Sequence, residues 1–124
     1  MEIGAFFKSV IEQDTAAVVI CDTEHRIVYM NPAAVANYHT YGGEKLVGKS
    51  IFDCHNEHSV ETIRKVVSWF AKSETNNRVH TFFNAKQQKD VYMVALRDDD
   101  GVLIGYYEKH EYRIKDDTPF YEMP

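Results

Sequence analysis

Three strand-like runs crowd the C-terminal half of this chain, and they constrain its fold more than anything upstream. Val79–Asn84 alternates His80 and Phe82 against Val79, Thr81 and Phe83; Val91–Arg97 follows, then Val102–Tyr112, rich in aromatic residues. The links are short: Ala85–Asp90 joins the first two, and the tight turn Asp98-Asp99-Asp100-Gly101 joins the last two. Links this short permit only antiparallel neighbours, because a parallel pair needs a crossover of a dozen residues or more. A meander of this kind has an apolar face that something else must cover.

The cover comes from upstream. Ala16–Cys21 and Ile27–Met30 are β-branched runs separated by the polar Asp22–Arg26, which reads as a hairpin. Asn31-Pro32 ends the second strand and starts a short helix over Ala33–Tyr38, with Asn31 as cap and Pro32 in the first turn. His39–Gly43 breaks that helix, and Glu44–Val47 adds one more turn before Gly48. A longer helix then runs to about Lys72, with Ser59 as its expected cap and Glu61 near its positive end. Val60, Ile63, Val67 and Phe70 share one face of it, widened by Val66 and Trp69. Two strands, inserted helices and three more strands make an α+β domain: one five-stranded antiparallel sheet with helices on one face. The natural cavity lies between sheet and helices.

At 124 residues the chain suits one domain with one core. It divides into an N-terminal helix over 1–14, the domain proper over 15–113, and a tail over 114–124. The first segment places Ile3, Phe6, Phe7, Val10 and Ile11 at helical spacing. Such a helix packs either on its own sheet or against a second copy. A net charge of −5 argues against a nucleic-acid surface. No run approaches the length of a membrane span or the pattern of an export signal, and two cysteines suit a reducing, cytoplasmic setting.

Several segments together resemble a PAS domain: Val18-Val19-Ile20-Cys21-Asp22, Ile27-Val28-Tyr29-Met30-Asn31-Pro32-Ala33-Ala34, Tyr38, Leu46-Val47-Gly48-Lys49, and Asp99-Asp100-Gly101 with Val102-Leu103-Ile104-Gly105. The similarity spans about residues 6–113, and departs at Thr23-Glu24-His25, where that family often has glycine. It implies a sensory or interaction module, often a homodimer, that binds haem, flavin, a small metabolite or nothing, and signals to a protein partner.

The chemistry-bearing stretch is Ile51–Ser59, with Cys54, His55 and His58 just ahead of the long helix. Haem, with His55 or His58 as iron ligand, is the sharpest ligand expectation. The alternative is that both imidazoles are solvated at a helix start. Cys54, Tyr38, Tyr29, Phe52 and Tyr106 complete the candidate ligand-contacting set. Structural zinc is disfavoured, since three donors fall short of a closed site and two are adjacent. Light-sensing flavin chemistry is set aside because Asp53-Cys54-His55-Asn56 lacks the Asn-Cys-Arg-Phe-Leu-Gln run of those relatives. Catalysis is not expected either. Side chains of sequence neighbours such as Cys54 and His55 usually diverge, and no third, orienting group is evident in the sequence.

Overall fold

The computed structural model describes residues 2–123. Helix α1 (Ile3–Glu12) leads into strands β1 (Ala17–Asp22) and β2 (Ile27–Met30), then helix α2 (Pro32–Asn37). Three 3₁₀ turns, His39–Tyr41, Gly43–Leu46 and Ile51–Cys54, precede helix α3 (Glu57–Lys72). Strands β3 (Arg78–Asn84), β4 (Lys89–Arg97) and β5 (Leu103–Tyr112) finish the domain. The sheet is wholly antiparallel in the order β2-β1-β5-β4-β3, so β5 returns between the first hairpin and the last strands.

Residues paired across antiparallel strands share a face of the sheet. One such row is Val19–Glu108–Met93–Val79; the rows beside it are Ala17–His110–Val91–Phe82 and Cys21–Tyr106–Ala95. This face meets the helices, and Val19, Cys21, Met93 and Tyr106 there join Ile63, Val66 and Phe70 of α3 in the core. Tyr38, Leu46, Ile51 and Cys54 from α2's end and the short turns close one side.

Two residues fix the join between elements. Asn31 is wholly buried. Its Oδ1 accepts from Val18 N and Ala34 N, both at 2.9 Å, while its Nδ2 donates to Ile11 O and Ala16 O. It thereby caps α2 and ties the end of α1 to β1. Gly105 lets β1 approach β5 closely: a Cβ there would stand 2.2 Å from the Cys21 carbonyl oxygen.

Three expectations need correction. The cap of α3 is Asn56, whose Oδ1 accepts from Ser59 N at 2.9 Å, so the helix starts two residues before Ser59. β4 begins at Lys89 rather than Val91, because Lys89 is buried there, donating to Asn37 Oδ1 at 3.1 Å and lying over the Tyr112 ring. The alternation read in β3 breaks at a bulge between His80 and Phe82, which leaves both Phe82 and Phe83 exposed.

Helix α1 does not lie down on the sheet. All its apolar residues but Ile11 are exposed, Phe6 at 51% and Phe7 at 62%, and the contacts that hold it are made near its C-terminal end. There the Tyr29 hydroxyl donates to Glu12 and Asp14 pairs with Lys109. No helix among the described residues is long and apolar enough to cross a membrane.

Candidate functional site

A cavity of about 380 Å³ opens between the first half of α3 and the helix-facing side of β3, β4 and β5. Ile63, Val91, Met93 and Phe82 supply its apolar lining; Tyr38, His55, Glu108 and His110 supply a polar wall. Asn56, His58 and Ser59, at the start of α3, also border it.

Glu108 is the centre of the polar wall, and its burial is nearly complete. Strand alternation puts Tyr106, Glu108 and His110 on the helix-facing side together, so a carboxylate enters the core by position rather than by preference. Oε1 accepts from the Tyr38 hydroxyl at 2.9 Å and from His110 Nε2 at 2.8 Å. Oε2 faces His55 Nε2 at 3.7 Å. Burial works against the charge on Glu108, yet the His110 bond and the nearby His55 imidazole outweigh it and hold the carboxyl well below the usual range. Tyr38 moves the other way: burial and the adjacent carboxylate push its hydroxyl well up, so it stays a donor.

His55 carries the matching charge. Its Nδ1 lies 2.9 Å from the Ile51 carbonyl oxygen, which can only accept, so Nδ1 bears a proton. Its Nε2 faces the Glu108 carboxylate at 3.7 Å, and that negative charge favours a proton there as well. Burial disfavours an imidazolium, but Cys54 and Glu108 override it and raise His55 to about 10. Cys54 Sγ lies 3.3 Å from Nδ1 and 3.2 Å from Ile51 O. The neighbouring side chains of Cys54 and His55 therefore converge, contrary to the sequence expectation, and Glu108 is the orienting third group that the sequence did not reveal.

The remaining candidates separate. His58 is exposed and borders the cavity mouth. Tyr29 is paired with Ile20 on the opposite face of the sheet and bonds Glu12. Phe52 stacks on His25 with centroids 4.6 Å apart and lies beneath Arg64. Tyr106 is buried at the core, where its hydroxyl meets His25 Nδ1 at 2.8 Å; burial pushes its pKa well up. Neither Tyr29, Phe52 nor Tyr106 lines the cavity. Glu108 and His110 do, and alternation through Tyr106-Tyr107-Glu108-Lys109-His110 is the sequence signal that could have placed them there.

The cluster does not favour haem iron through His55, since Nδ1 is held by the Ile51 carbonyl and Nε2 faces the buried Glu108 carboxylate, which iron would have to displace. His110 Nε2 is likewise committed to Glu108. No group of three or more His, Cys, Asp or Glu among the described residues is arranged to hold a metal ion.

Comparison with known proteins gives the PAS domain family over residues 15–108. A C-terminal domain from Streptococcus mutans superposes with TM-score 0.69 at 17% identity, covering 90% of this chain and 85% of that one. The PAS domain of a Colwellia psychrerythraea protein gives 0.67 at 14% identity, covering 90% and 97%. The Aer2 receptor of Vibrio cholerae, a dual PAS-heme oxygen sensor, gives 0.55 at 19% identity, covering 77% and 91%. Among curated protein sequences, none matches significantly.

Proposed function

The chain belongs to the PAS domain family, a family of sensory and signalling modules, and from that premise we propose that it senses a small molecule held in the cavity against Glu108. The observation that carries this reading is the almost fully buried Glu108 carboxylate in a cavity wall, bonded there by the Tyr38 hydroxyl and His110 Nε2. A buried charge is costly, and an apolar pair of similar shape commonly serves stability as well. A polar cluster at a cavity is where recognition occurs. The ligand is small and part apolar: its apolar portion rests on Ile63, Val91 and Met93, and its polar end meets the Tyr38–Glu108–His110 bonds.

The output is protein contact rather than catalysis. Cys54, His55 and Glu108 form a line, but Cys54 is buried behind the imidazole and does not line the cavity. The exposed apolar stripe of α1, with Phe6 and Phe7, suits a homodimer seam, one of the two placements the sequence left open for this helix. Free, buried Cys21 and Cys54 accord with a reducing, cytoplasmic setting.

A thermal-shift screen of small metabolites tests this reading. A ligand at a hundred times its Kd stabilises the protein by about 2.7 kcal/mol. Glu108→Gln and Tyr38→Phe should each abolish that shift while remaining folded. Equal shifts in the variants would remove Glu108 from recognition. Haem belongs in the same screen, through the exposed His58. A Soret band that His58→Ala removes would make this a haem protein instead.

A further inference from the structure

A second depression, an open groove of about 790 Å³, runs along another side of α3, where Arg64, Val67, Ser68, Ala71 and Lys72 face the turn before β5. Val102 and Leu103 extend its apolar lining. Among the described residues neither Arg64 nor Lys72 has a carboxylate partner. Arg64 instead rests over the Phe52 ring at 4.8 Å, and burial with Arg64's charge lowers the pKa of His25. Arg97 also lines the groove, but it donates to Phe70 O, Ser73 O, Asn76 O, Asn77 Oδ1 and Gly101 O, which holds the end of α3 in place. Glu74 is the lone carboxylate there and lies against Gly101. The groove therefore has an apolar lining and an excess of cations.

Residues 114–123 have the complementary character. Asp116, Asp117 and Glu122 outnumber Lys115, and the apolar residues of the segment are unusually open: Phe120 is 96% and Tyr121 94% exposed. We propose that this segment of one copy docks in the groove of a second copy. Phe120 and Tyr121 lie on Val67, Val102 and Leu103, and Asp116 and Asp117 meet Arg64 and Lys72.

Distance decides between the chain's own groove and a partner's. β5 starts at the groove with Leu103 and runs away from it for ten residues. That is about 33 Å. Phe120 follows Tyr112 by eight residues. Those eight span at most ~28 Å fully extended, before any detour round the sheet edge. A copy related by a two-fold axis can present its groove to the segment, and reciprocal exchange then closes the pair. This contact is separate from the α1 seam and from the cavity.

The test uses the full chain with a photo-crosslinking phenylalanine analogue at position 120, mixed with isotope-labelled unmodified chain. Mass spectrometry of the irradiated sample should find crosslinks from position 120 of one copy to peptides 64–72 or 101–103 of the other. Arg64→Glu with Lys72→Glu should reduce their yield at least tenfold, and adding Asp116→Lys with Asp117→Lys should restore it. Crosslinks confined to one chain, crosslinks to α1, no crosslinks at all, or a yield indifferent to the charge reversal would each overturn the proposal. Thermal unfolding of every variant verifies that the groove is intact, and because no ligand is added, the result stands apart from what the cavity binds.

Discussion

At the scale of single residues, the pairing of Glu108 with His55 ties charge to stability. The Glu108 carboxyl is depressed in the fold, so its contribution is present above the ordinary value of 4.5 and is lost as the pH falls below it. The His55 imidazole is raised, so its contribution is full below the ordinary 6.5 and is lost as the pH rises towards about 10. The protein should therefore be most stable between these two ordinary values. The melting temperature should fall through the alkaline range, and His55→Gln should flatten that alkaline limb; an unchanged limb would mean that His55 is not charged in the fold. Glu108→Gln strands the imidazolium and should cost about 3 kcal/mol in urea unfolding. Little of this cluster was legible beforehand. His55 stood out because polar donors gathered ahead of a helix, whereas Glu108 sat inside a run read for its aromatic rings. Its partners come from three separate elements, and only folding brings Tyr38, seventy positions away, to its oxygen.

At the scale of elements, local chemistry explains what the sequence made readable and where it misled. Asn31-Pro32 announced both the end of β2 and the start of α2, because the cap side chain and the fixed proline φ are local properties. Ser59 was the expected cap for α3 and Asn56 holds that place, because residue type alone does not say which of two capping residues begins a helix. The β3 bulge was invisible, since periodicity assumes an unbroken ladder. Two substitutions probe the joins. Gly105→Ala drives a methyl group into the Cys21 carbonyl and should cost about 3 kcal/mol, at the upper end of overpacking. Asn31→Ala leaves the Val18 and Ala34 amides without their partner and should cost about 2 to 4 kcal/mol. Both are checked by chemical denaturation; a loss under 1 kcal/mol for either would mean that β1 and β5, or β1 and α2, relax more readily than their contacts imply.

At the scale of the whole molecule, the sheet divides its work between two faces. One packs on α3 and holds the cavity; the other meets α1 near that helix's C-terminal end, through Tyr29 and Glu12, while the apolar stripe of α1 points outward. To test the proposed α1 seam apart from the tail contact, Phe6→Glu with Phe7→Glu is added to Arg64→Glu with Lys72→Glu: sedimentation should then shift from dimer to monomer, and a distribution unchanged by the added pair would discard that seam. The overall α+β plan was legible in the order of strands and helices, because short links leave few ways to connect them. The cavity's chemistry was not, because it depends on which strand faces meet which helix. The most direct test of the central claim is native mass spectrometry of the purified protein after equilibration with a metabolite extract, beside Ser59→Trp, which fills the cavity mouth. A small bound mass on the wild type that is missing from the folded variant is the predicted result. Spectra with no bound mass, or with the same mass on both, would contradict a ligand held against Glu108.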